Sequence, residues 1–212
     1  VETYKAIAVS ILPDFTAEGV HGLVAHSEAK LLYVGPNVLK KVDATLMPGL
    51  TAMIFMDDFS LKYAASEEVE KVYATIDEEF KKEWPNGLSA EDVVYPTDNH
   101  DDLALINYTS GSTGFSKGVM LTFKNLWSNA QFTIDNLDFL LPGDPLVCML
   151  PLAHMYGLMI ELIHPLIKGC HVYFLTRVPS PKVIMDAFAT VKPKLIVTVP
   201  LIIEKIIKTR VF

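Results

Sequence analysis

Cysteine is scarce, with two in 212 residues, and that scarcity excludes a fold stapled by a disulfide framework. Cys148 and Cys170 each lie in an apolar run, where an unpaired cysteine behaves as a small core residue and points to a reducing, cytoplasmic compartment. No long hydrophobic run survives uninterrupted. The longest, Val147 to Ile163, is broken by Pro151, His154, Gly157 and Glu161, which excludes a spanning helix there. A clustered basic footprint is also missing. The net charge is −7, and the segment from Asp57 to Asp102 holds 14 acidic and 4 basic residues, a balance of −10 that leaves +3 for the remainder. A mildly basic remainder suits an anionic small molecule and argues against a nucleic-acid partner. There is no initiator methionine and no charged-then-apolar leader at the start, so the chain reads as a part of something larger.

What is present is a long alternation of apolar runs and helix-length amphipathic segments. Half of the residues are hydrophobic, enough for the core of one large domain or two small ones. Ala6 to Leu12 reads as a strand, followed by a helix whose Val20, Leu23 and Val24 share one face. Lys30 to Val34 is expected as a short buried strand, Val38 to Val42 as a helix and Leu50 to Met56 as another strand. Residues 57–102 then form an acidic, partly helical insert. In it Ser66 can cap a helix carrying Val69, Val72, Tyr73, Ile76 and Phe80 at helical spacing. Beyond the insert, Leu103 to Tyr108 is a strand, and Thr122 caps a helix with Phe123, Leu126, Trp127, Ala130 and Ile134 inward. Pro142-Gly-Asp144 is a turn, and Leu146 to Leu150 a buried strand. Cys170 to Leu175 and Leu195 to Val199 are further strands, flanking a helix that Ser180-Pro181 starts and in which Val183, Ile184, Ala187, Phe188 and Val191 fall on one face. Pro200 opens the last helix, through Ile202, Ile203, Ile206 and Ile207. This order predicts an α/β fold of mainly parallel sheets with helices on both faces, in segments 1–56, 57–102 and 103–212.

The stretch Thr109-Ser-Gly-Ser-Thr-Gly-Phe-Ser-Lys-Gly118 packs three glycines, a lysine and a series of small hydroxyl residues into ten positions, directly after a strand. Glycine lets backbone N–H groups face an anion without a Cβ in the way. Ser110, Ser112, Thr113 and Ser116 add hydroxyl donors, and Lys117 adds a mobile positive charge. A Walker A loop would need Gly-Lys-Ser/Thr with a helix at once, whereas here Val-Met-Leu follows, so the reading is a different phosphate loop. A Gly/Ser linker between two strands is the alternative. Further on, Leu150-Pro-Leu-Ala-His-Met-Tyr-Gly-Leu158 places His154 at the C-terminal end of a strand, where open α/β sheets bind ligands. A hydrogen-bonded core histidine is the competing reading.

Tyr108 to Val119 resembles the signature loop of the adenylate-forming superfamily, which includes acyl-CoA synthetases, luciferases and the adenylation domains of peptide synthetases. The family loop has proline before the lysine, where this chain has Ser116. Leu150 to Leu158 resembles the second family signature, and Val199-Pro-Leu-Ile-Ile-Glu-Lys205 is similar to long-chain fatty acyl-CoA synthetases. The resemblance covers essentially the whole chain and implies part of the family's large N-terminal domain. It implies ATP, Mg2+ and coenzyme A as reactants and cofactor, with a carboxylic acid activated as acyl-adenylate. By the same resemblance Thr109, Ser110, Gly111, Ser112, Thr113, Gly114 and Lys117 hold phosphates, and Thr113 is the magnesium contact. Lys117 and His154 are the catalytic candidates, and His154 with Tyr156 lines the acyl pocket. Peripheral membrane contact of the parent is compatible with it. The family's Tyr-Gly-x-Thr-Glu segment and its C-terminal lysine do not occur here, so this chain alone is expected to be inactive and to self-associate through apolar faces such as Leu201 to Ile207. A non-catalytic nucleotide-binding module and a peptide-synthetase adenylation domain are the alternatives.

Overall fold

The computed structural model describes residues 5–93, 99–109, 117–175, 177 and 179–211. They divide into two compact units, one taking in the described residues up to 93 together with Lys117 and Gly118, the other 99–109 and 119–211.

In the first unit β1 (Ala8–Ser10) precedes α1 (Ala17–His26). Thr16 starts α1 by accepting from the Gly19 N–H at 3.1 Å, a cap contributing about 1 kcal/mol. The predicted apolar face is the one that is buried: Val20, Leu23 and Val24. Val20 and Val24 pack with Val34, Met47, Leu50 and Met53 into one core, each valine contributing roughly 1.5 kcal/mol or more. Strand β2 (Leu31–Val34) pairs parallel with β3 (Ala52–Phe55), in the register Val34 to Phe55. The helix expected over Val38 to Val42 lies earlier in the chain, as the single turn α2 (Pro36–Leu39). Strand β2 is an edge strand, and only Val34 in it is buried, because one side of an edge strand lacks a neighbour to cover it.

A strand that was not expected, β4 (Leu61–Ala64), pairs antiparallel with β3. It lies in the acidic segment, where its single alternation over four residues is too short to register as a period. Ser66 then caps α3 (Glu67–Glu83), as expected, through the Val69 N–H. Its Val72, Ile76 and Phe80 are exposed.

The second unit opens on β5 (Leu103–Thr109), which neighbours β6 (Lys117–Thr122) in a sheet. Thr122 caps α4 (Phe123–Asn136) through the Asn125 N–H at 3.2 Å, and Asn125 reciprocates. The buried line of α4 is Leu126, Ala130 and Thr133. Trp127 is exposed, contrary to expectation. At 100° per residue it stands about 90° around the helix from that line.

Strand β7 (Pro145–Cys148) pairs parallel with β8 (His171–Phe174). The crossover between them is one helical run made of α5 (Met155–Gly157), a π-segment Leu158–Ile163 and α6 (His164–Ile167). The interruptions at Gly157 and Glu161 hid this run in the sequence. On one side of β7, Val147 and Met149 pack with Ile184 of α7 (Pro181–Val191). The π-segment and α6 contact the β7 and β8 sheet as well, so helices flank the sheet as expected. Ser180 caps α7 and Pro181 occupies its first turn. Leu195 to Val199 is not a strand. Leu195 makes a single parallel bridge to Leu146, and Pro193 and Pro200 on either side supply no N–H to a ladder. The last helix, α8 (Pro200–Val211), follows, with Ile203 and Ile207 exposed.

Candidate functional site

Strand β7 delivers the site. Its ladder to β8 ends at Cys148, and the next two N–H groups, Met149 and Leu150, have no strand partner among the described residues. A side chain takes that role: Oε2 of Glu161 accepts from Met149 at 3.0 Å and from Leu150 at 2.7 Å. The chain then turns through Pro151, whose carbonyl accepts the His154 N–H at 3.0 Å, and the His154 carbonyl accepts the Leu158 N–H at 2.9 Å. His154 is thereby the residue before α5, with extended backbone. Gly157 is needed where it stands, because a Cβ there would lie 2.8 Å from the Pro151 carbonyl oxygen and 3.1 Å from Leu150 Cβ. From the other side, the buried Asn107 of β5 donates its amide to the Ala153 carbonyl at 2.6 Å.

These elements line an open cavity of about 780 Å³. Its wall is mostly aliphatic, from Val119 and Leu121 of β6 to Met149, Leu150, Val199 and Ile202. Among the described residues, the side chains of Asn107, Thr109, His154 and Tyr156 bring polarity to it. Among the described residues no Asp, Glu, Lys or Arg lines it. Such a site accommodates an apolar body with one polar end. A second cavity of about 430 Å³ runs between α4 and the π-segment, past Phe132, Met159 and Ile160, and shares Leu121, Met155 and Tyr156 with the first.

The residues expected to act are partly brought together. Thr109, His154 and Tyr156 share one cavity. His154 and Tyr156 are exposed. Lys117 is exposed at the start of β6 and is not among the lining residues. Ser110, Gly111, Ser112, Thr113, Gly114 and Ser116 lie outside the described residues. Among the described residues no group of three or more His, Cys, Asp or Glu could hold a metal ion. No helix among them is long and apolar enough to cross a membrane.

Three buried groups escaped the sequence reading. Glu161 and His164 are 1% and 0% exposed. Oε1 of Glu161 and both ring nitrogens of His164 lack hydrogen-bond partners among the described residues. Burial raises the Glu161 carboxyl above its usual range, with the Met149 and Leu150 N–H groups and the Cys148 thiol pulling it back. Burial lowers the His164 imidazole, and the Lys168 charge adds to this. Burial, with the Glu161 carboxyl beside it, pushes the Cys148 thiol up to about 12, so this cysteine is an inert core residue. Asn107 is the third group. The available signal was a lone acid in an apolar run, which requires a partner wherever it is buried.

A profile of the family described as AMP-binding enzyme matches residues 3–212. Long-chain-fatty-acid--CoA ligase 1 of Homo sapiens is 27% identical over 211 residues, covering 95% of this chain and 29% of that protein. Long-chain-fatty-acid--CoA ligase 5 of Rattus norvegicus is 25% identical over 223 residues, covering 96% and 30%. The chain thus spans about 30% of the length of these relatives. Among solved structures, ATP-bound MatB from Rhodopseudomonas palustris superposes with a TM-score of 0.70 at 23% identity, over 96% of this chain and 36% of that one. The inhibitor-bound N-terminal domain of FACL13 from Mycobacterium tuberculosis superposes with a TM-score of 0.72 at 21% identity, over 96% and 46%. The described α/β architecture is therefore one that these structures share. With the profile covering nearly every residue, the chain belongs to the AMP-binding enzyme family.

Proposed function

We propose that this chain is a segment of an AMP-forming acid–thiol ligase, which activates a long-chain fatty acid as acyl-adenylate and transfers the acyl group to coenzyme A. The observation that carries this reading is the cavity of about 780 Å³ with an aliphatic wall and His154, Tyr156, Thr109 and Asn107 as its polar groups. Its size lies within the roughly 300–1,000 Å³ of ligand pockets. Relatives named as long-chain-fatty-acid--CoA ligases support the same acid.

In this reading the aliphatic wall holds the acyl chain and excludes water from the reacting end. His154 presents its ring to the carboxylate, with Tyr156 beside it. Thr109, where β5 ends, stands at the entrance to the phosphate loop, and Lys117, where β6 begins, places a cation at its exit. Carboxylate attack on the α-phosphorus of ATP builds negative charge on the leaving pyrophosphate, and a lysine with backbone donors stabilises that charge. Lys117 at the start of β6 is exposed and cationic, which suits an anion. Magnesium, with Thr113 as its contact, would screen the same charge. Thr113 lies outside the described residues. Coenzyme A would enter as acceptor of the acyl group.

The test is exchange of labelled pyrophosphate into ATP by the longer protein that carries this segment. Exchange should depend on a fatty acid, and Lys117→Ala should slow it roughly 10² to 10³-fold. Exchange that is independent of fatty acid, or unchanged in Lys117→Ala, would remove the reading.

A further inference from the structure

We infer that Glu161 and Asn107 are positioning residues for His154, pinning the β7 to α5 connection from two sides so that the imidazole meets the acid's carboxylate. The inference rests on His154 having that role. Glu161 lies in a π-segment, an irregularity that recurs where a helix must aim a side chain at a site. Its side chain is almost fully buried and has no cationic partner within ion-pair distance among the described residues. A carboxyl so placed costs stability unless it is used. Its use is visible: one oxygen receives both N–H groups that β7 leaves unpaired, at 3.0 and 2.7 Å. Those N–H groups belong to Met149 and Leu150, which line the cavity.

Asn107 supplies the opposing pin. It is 5% exposed, and its amide reaches the Ala153 carbonyl, 46 residues away, at 2.6 Å. Three residues separate Leu150 from His154, and both ends of that short connection are held by side chains from other elements. His154 is the first residue past the second pin. Its backbone is fixed by Pro151 and Leu158, while its ring is left exposed at the cavity wall. An aliphatic side chain at 161 or 107 would fill the volume equally well, and it would free the connection.

Two measurements on the 212-residue chain test this. The first is fluorescence binding of cis-parinaric acid against its methyl ester, which differ in the charged end alone. The wild-type chain should favour the acid about tenfold, the scale of one charge-assisted hydrogen bond. His154→Ala should abolish that ratio. Glu161→Leu and Asn107→Leu should lower it to the same level while changing ester affinity less than about twofold. Glu161→Gln should keep the ratio, since one amide oxygen can accept both N–H groups. The second is the His154 ring signal in ligand-free ¹H–¹³C spectra, assigned by its loss in His154→Ala. It should move in both leucine variants and stay in Glu161→Gln. If Glu161→Leu does not fold, Asn107→Leu, similar in size, decides alone. A ratio retained in the leucine variants, or a ring signal that does not move in them, overturns the positioning role and leaves the reading of His154 intact. A ratio retained in His154→Ala overturns both.

Discussion

The Glu161 carboxyl and the Leu150 N–H meet at 2.7 Å, across eleven residues, and this bond makes the end of β7 and the π-segment one unit. Its cost depends on protonation, and a neighbouring buried histidine responds in the opposite sense. For Glu161, whose folded value is raised, the folded state binds the proton more readily than the unfolded chain does. Its contribution is complete at low pH and is lost as pH rises from about 4.3 through the raised value. For His164, whose folded value is lowered, the unfolded chain binds the proton more readily, and stability is lost as pH falls below about 6.5. Urea midpoints measured from pH 4 to 9 should show Glu161→Gln flattening the alkaline fall and His164→Leu the acid one. Unchanged limbs in both variants would show that neither group titrates with folding.

Gly157→Ala should destabilise the chain by about 1 to 2 kcal/mol. The added methyl would lie 2.8 Å from the Pro151 carbonyl oxygen, and overpacking of this kind costs about 1 to 3 kcal/mol, against up to about 1 kcal/mol gained in helix propensity. Urea unfolding measures it, and a midpoint at or above that of the parent would refute the close approach.

His154→Ala should leave folding nearly untouched and impair turnover of the longer protein. The side chain is exposed at the cavity wall, and its removal opens no core. The decisive comparison is thermal unfolding beside fatty-acid-dependent pyrophosphate exchange. A sharp loss of thermal midpoint with normal exchange per folded molecule would make it a packing residue.

The 212-residue chain should perform neither half-reaction and should bind ATP no more tightly than pyrophosphate. It spans about 30% of its relatives, and phosphates need contacts from a single loop, whereas differential binding of a transition state needs more groups. Exposed Ile203 and Ile207 on α8 should also drive self-association, and Ile203→Lys should reduce it. Calorimetry with both ligands and sedimentation of the two chains check these outcomes. Micromolar ATP affinity with clear preference over pyrophosphate would contradict the first.

Local signals carried much of this protein. Ser66, Thr122 and Ser180 were readable as caps because a cap is made within three residues of its own helix. Val20, Leu23, Val24 and Ile184 were readable as core because helical periodicity is written in the chain itself. His154 and Tyr156 stood out by a motif, and so did the glycine-rich stretch Thr109 to Gly118. Tertiary structure alone decided what depends on distant partners. Leu195 has a bridge and no ladder, Trp127 falls outside the buried line of its helix, and β4 finds β3 through pairing that four residues cannot announce. Above all, Glu161 read as a break in an apolar run. Its meaning comes from two N–H groups eleven and twelve residues away, as that of Asn107 comes from a carbonyl 46 residues away. A hydrogen bond is set by distance in space, which the order of residues along a chain does not contain.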